Sequence, residues 1–145
     1  MKKKTVARKG VAVVLTAALL APTSAFAAVP SDFSDFPNDW STQAMTEAVE
    51  NGLLGGVADG TIAPSGLLTR AQMAAIINRA FGATEAASLS GYTDVAQSDW
   101  YYTDMSMAVQ MGTFVGEGGG RLNPNSAITR EEAFCVLARA FSIDT

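Results

Sequence analysis

The sequence predicts a mainly α protein made of two tandem helix–loop–helix repeats behind an N-terminal export segment. Three observations carry that prediction. A shift of 60 residues lays one half of the chain on the other, each half holds two stretches with apolar residues at helical spacing, and a basic, apolar, small-residue pattern opens the chain.

Lys2, Lys3, Lys4, Arg8 and Lys9 form a basic start, residues 11–20 form an apolar run, and Ala25-Phe26-Ala27 gives a small-x-small cleavage pattern. The run is shorter than the roughly 20 residues a membrane anchor needs, so residues 1–27 read as a signal peptide cleaved after Ala27. No stable membrane span is expected after processing. Arg70, Arg79, Arg121, Arg130 and Arg139 then face all fourteen acidic residues, a formal net charge of −9. Such a field disfavours nucleic acid and anionic lipid as partners.

The repeat runs without a gap from Trp40/Trp100 to Phe81/Phe141. Identical pairs include Met45/Met105, Ala48/Ala108, Gly52/Gly112, Gly60/Gly120, Pro64/Pro124, Thr69/Thr129, Arg70/Arg130 and Arg79/Arg139. Repeat 1 is assigned to 28–88 and repeat 2 to 89–145, with the Ala- and Ser-rich stretch 82–91 as connector.

In each repeat a first helix follows Asp39-Trp40 or Asp99-Trp100 and places Met45, Ala48 and Val49, or Met105, Ala108 and Val109, on one face. Gly52 and Gly112 are suited to the left-handed position that ends such helices. The second helix opens on a capping box, Thr69-Arg70-Ala71-Gln72 or Thr129-Arg130-Glu131-Glu132. Met73, Ile76, Ile77, Ala80 and Phe81, with Ala133, Val136, Leu137, Ala140 and Phe141, then recur at helical spacing. The Gly- and Pro-rich segments 53–68 and 113–128 between the helices are long enough to be functional, or to be compact closures of the unit.

Several chemistries are disfavoured by what the sequence lacks. There is no histidine, the usual general base, metal ligand and nucleophile activator. Glu131 and Glu132 diverge by about 100° on a helix and form no catalytic pair. Neither Gly-rich loop ends in Gly-Lys-Ser/Thr, and residues 55–60 supply only Asp59 where a calcium loop needs several carboxylates. No enzyme activity, metal or cofactor is expected. The single cysteine, Cys135, lies in an apolar stretch and reads as a buried structural thiol.

Arg70 and Arg130 occupy the first helical position, where a cation opposes the helix dipole at about 0.3–1 kcal/mol. A guanidinium beside free helix amides can grip a carboxylate of a ligand; the alternative is a salt bridge to a protein carboxylate such as Asp59 or Asp99. Trp40 and Trp100 fit a core or staple role better than direct stacking on a sugar ring. Arg79 and Arg139, in the last helical turn, are explained by the dipole.

Phe33-x-Asp35, Asp39-Trp40, the glycine after the first helix, the Gly-x-x-x-Gly…Pro loop and Leu68-Thr69-Arg70-Ala71-Gln72 together resemble an S-layer-homology domain. Tyr92-x-Asp94-Val95, Asp99-Trp100 and Ile128-Thr129-Arg130-Glu131-Glu132 resemble a second. The resemblance implies a secreted cell-surface protein held non-covalently to the bacterial wall through an anionic, commonly pyruvylated, secondary cell-wall polysaccharide. It implies grooves between neighbouring repeats of a pseudo-threefold bundle, here lacking its third repeat, and a ligand role for Arg70 and Arg130. Gln72 departs from the family's Glu, and Gly119 stands where repeat 1 has Asp59. The candidate ligand-binding set is Arg70, Arg130, Trp40, Trp100, Asp59, Gly60 and Gly120. The alternative reading is a structural surface protein that self-associates or docks to other surface proteins of this kind, or the anchor portion of a longer protein.

Overall fold

The computed structural model describes residues 28–143; the export segment and its cleavage point lie outside the described residues. Four helices follow in order: α1 (Thr42–Glu50), α2 (Arg70–Phe81), α3 (Tyr102–Gln110) and α4 (Arg130–Ala140). Among the described residues there are no strands, only the isolated bridges Ala58–Thr61 and Thr69–Ala127. A short 3-10 turn at Pro30–Asp32 precedes them, which the helical-period reading did not anticipate. Proline fixes φ there and the Asp32 carboxylate accepts from the Val29 amide.

The first helix of each repeat ends in the same way. The Leu53 and Thr113 amides reach the Ala48 and Ala108 carbonyls, while Gly52 and Gly112 donate to Val49 and Val109. That double closure requires a left-handed residue, and the glycines supply it at φ +70° and +73°. Both second helices carry the complete capping box. Thr69 and Thr129 hydroxyls accept from the residue 72 and 132 amides at 3.2 Å, and Gln72 and Glu132 return bonds of 2.8 and 2.7 Å.

An aspartate pair braces the loops. Asp35 accepts from the Ile62 and Ala63 amides at 2.8 Å each, and Asp94 accepts from Leu122 and Asn123 at 3.0 and 2.8 Å. Ala63 and Asn123 are forced to positive φ, +48° and +49°, at equivalent positions. The carboxylates hold these turns closed across 27–29 residues of chain. The long loops are therefore compact connections pinned at one end.

Helix α2 belongs to repeat 1 but packs chiefly on α3 of repeat 2. Its small residues Ala71 and Ala74 are buried there, which lets the helices approach closely. The principal core joins them to Met105, Ala108, Phe114 and Leu122, with Leu89 of the connector inserted into it. Repeat 1 has only a small core of its own, Phe33, Val49 and Ile62. Met105 and Ala108 are fully buried, whereas Met45 and Ala48, their equivalents, are half-buried. The difference is α2 itself, which covers repeat 2 and has no counterpart covering repeat 1 among the described residues.

Candidate functional site

The two N1 arginines have different environments. Arg70 is buried, 5 % exposed, and its Nη1 lies 2.7 Å from Glu132 and 2.9 Å from Glu117. Its Nε donates to the Leu122 carbonyl at 2.9 Å, and the guanidinium stands over the Phe114 ring at 5.3 Å. The carboxylates that pair with it are thus Glu117 and Glu132, and neither Asp59 nor Asp99. Glu117 escaped the repeat comparison because Val57 occupies its place in repeat 1. Glu132 is held below the usual carboxylate range by the Thr129 amide first, then against burial by the Thr129 hydroxyl, Glu117 and Arg70.

Arg130 is exposed, and among the described residues no carboxylate lies within ion-pair distance of it. Its guanidinium sits over the Phe134 ring at 5.5 Å. The same helix position therefore carries a neutralised cation in repeat 1 and an open one in repeat 2.

Trp40 and Trp100 are 93 % and 65 % exposed, so the core-packing expectation is corrected for both. Each precedes the N-cap of its helix, where the chain enters from solvent. Trp100 rests edge-on against Tyr101, ring centroids 5.3 Å apart, and lines a cavity of about 580 Å³ on repeat 1. Leu54, Gly55, Gly56 and Val57 line that cavity together with Gln72 and Arg79. None of its lining residues is acidic. The equivalent cleft on repeat 2 measures about 180 Å³ and contains Glu117, Glu131 and Glu132 beside Arg70 and Arg139.

The remaining candidates have structural surroundings. The Gly60 and Gly120 carbonyls accept from the Ser34 and Thr93 amides at 2.9 Å, and a Cβ on Gly120 would meet the Gly91 carbonyl at 2.9 Å. Asp59 lies exposed in the same turn of repeat 1. Arg79 and Arg139 do more than complement a dipole: they donate to the Leu53 and Thr113 carbonyls, tying each second helix to the end of the first. Cys135 is half-buried rather than enclosed, at the edge of the smaller cleft. Among the described residues no His/Cys/Asp/Glu group could hold a metal, and no helix is long and apolar enough to cross a membrane.

Comparison with known proteins agrees with this architecture. The model of the S-layer homology domain matches residues 32–74 and 91–134. A surface-layer 125 kDa protein of Lysinibacillus sphaericus is 31 % identical over 99 % of this chain and 12 % of its own length. A cell surface protein of Thermoanaerobacter kivui is 29 % identical over 92 % of this chain and 18 % of its own. The exoglucanase XynX of Acetivibrio thermocellus matches at 29 % over 78 % of this chain and 10 % of its own. The chain spans less than a fifth of each of these relatives. It belongs to the S-layer homology domain family and carries two tandem repeats of it. It is a secreted, cell-wall-associated surface protein, and its repeats are binding modules that anchor to the cell envelope.

Proposed function

We propose that this chain anchors to the wall by binding an anionic secondary cell-wall polysaccharide, with Arg130 as the contact for the anionic group and Trp100 as a stacking surface for a sugar ring. The contrast between the two equivalent arginines carries this reading. Arg70 has its charge cancelled by two carboxylates, while among the described residues Arg130 offers an unpaired guanidinium. The large cavity on repeat 1 supports it further: it is free of carboxylates, it holds Arg79 and Gln72, and an exposed indole forms its rim. A pyruvate ketal, a planar carboxylate on a sugar, suits the bidentate fork of Arg130.

Retention of purified chain on cell-wall sacculi tests the assignment. Arg130→Ala and Trp100→Ala are expected to lower retention about 10-fold or more each while leaving the helical circular dichroism unchanged. Retention equal to the parent in both variants would remove them from the site.

A further inference from the structure

We propose that copies of this chain associate head to tail, with α4 of one copy seated in the cavity on repeat 1 of the next. The contact between repeats within the chain is the template. There, the Arg70 and Ala71 amides donate to the Ser126 and Pro124 carbonyls at 3.0 and 2.9 Å. The Ile128 amide donates to the Leu68 carbonyl at 2.9 Å, and the Arg70 side chain donates to the Leu122 carbonyl. These bonds satisfy orphan amides at the start of α2 with carbonyls of repeat 2.

Every group in that set has a counterpart 60 residues away, and among the described residues each counterpart is unpaired. The Arg130 and Glu131 amides have no acceptor, and the Gly66, Pro64 and Ile62 carbonyls have no donor. The Leu68 amide and the Ile128 carbonyl are open in the same way. One end of the molecule thus displays the Arg130 and Glu131 amides with the Ile128 carbonyl, and the other the Gly66, Pro64 and Ile62 carbonyls with the Leu68 amide, in the arrangement that the internal junction already uses.

Apolar surface and volume agree. Pro124 is buried beneath α2, while its equivalent Pro64 lies exposed in the repeat 1 cavity with Met45, Ile62 and Leu67. Leu67 is 83 % exposed there, and Phe134, on the α4 face that matches the buried Ala74, is 58 % exposed. The acceptor has smaller residues than repeat 2, Ser41 for Tyr101 and Leu54 for Phe114, and the docking helix has a larger one, Phe134 for Ala74. At those positions added volume meets lost volume, while Leu67 for Ala127 and Ala133 for Met73 change in the opposite sense.

The contact is heterologous, so a pair of copies keeps one free donor end and one free acceptor end and assembly continues past the dimer. It covers the Met45, Leu54, Ile62 and Pro64 end of the cavity and leaves the Val57, Gln72 and Arg79 end open. Arg130 would then face Val57 and Gln72, where Arg70 faces Glu117 and Glu132. This last step rests on the polysaccharide reading, because it places an uncancelled guanidinium in the neighbour's groove; the association itself does not depend on it.

Sedimentation velocity of the chain from residue 28 onward, without any polysaccharide, tests the contact. Two substitutions at exposed positions block one end each: Phe134→Asp on α4 and Leu67→Asp in the cavity. The parent is expected to grow beyond dimer with concentration, and each variant alone to stay monomeric. An equimolar mixture of the two variants should double in mass and stop, since one free donor meets one free acceptor. A parent that stays monomeric, a parent that saturates at two copies, or a mixture that stays monomeric overturns the proposal. Sacculus binding by a monomeric parent would defeat the association and leave the polysaccharide reading standing.

Discussion

An arginine at the first position of a helix opposes the dipole by about 0.3–1 kcal/mol. In repeat 1 that cost is offset by Glu117 and Glu132, by the Leu122 carbonyl and by the Phe114 ring. Arg70→Ala leaves those carboxylates facing each other and is expected to destabilise the fold by about 3 kcal/mol, read as a lower Tm. Arg130→Ala removes no such partner and should leave Tm within about 0.5 kcal/mol of the parent. Asp94 makes a second claim at this scale. Burial pushes its carboxyl upward, yet the Leu122 and Asn123 amides, with Arg121 nearby, hold it below its usual range. Asp35 is likewise lowered, first by the Ile62 amide. A carboxyl whose folded pKa lies below its unfolded value of about 3.9 stabilises the fold above that value, and the contribution fades as pH falls through the folded value. Thermal melts from pH 7 to pH 3 should therefore show Tm falling in acid. Asp94→Asn should lower Tm at pH 7 and flatten that acid limb; a variant with the parent's limb would remove Asp94 as its source.

Helices α2 and α4 occupy equivalent places in the two repeats but perform unequal packing tasks. Their starts were legible because the capping box is a local signal: threonine, then Gln or Glu three residues on, fixes the first turn without reference to the rest of the fold. The ends of α1 and α3 were legible for the same reason, through Gly52 and Gly112. The burial of α2 was not, because Ala71 and Ala74 look no different from surface alanines until α3 lies across them. The exposure of Trp40 and Trp100 was illegible in the same sense: an indole is assigned to a core by composition and to solvent only by the direction of chain entry. This asymmetry makes a direct prediction for the matched methionines. Met105→Ala should cost about 2–5 kcal/mol in denaturant unfolding, as expected for a fully buried core position. Met45→Ala, on the uncovered side, should cost clearly less; equal costs would mean that repeat 1 is as well packed as repeat 2.

At the scale of the whole molecule, the period of 60 residues made two repeats and their family resemblance readable, but not which surfaces they leave open. Several identities between repeats mark what both need in order to fold, such as Gly60/Gly120 and Arg79/Arg139, whose surroundings in the structure are turns and helix ends, while Arg130 and Trp100 of the proposed site belong to identical pairs as well. The differences between repeats locate the candidate site: Glu117 against Val57 and Glu132 against Gln72 leave one cleft acidic and the other without carboxylates. A repeat comparison that rewards identity passes over those positions. Wall attachment through an anionic polymer is the central claim, and retention on sacculi before and after chemical removal of the polysaccharide tests it most directly. The chain should be retained on intact sacculi and lost from stripped ones. Equal retention on both would contradict polymer binding.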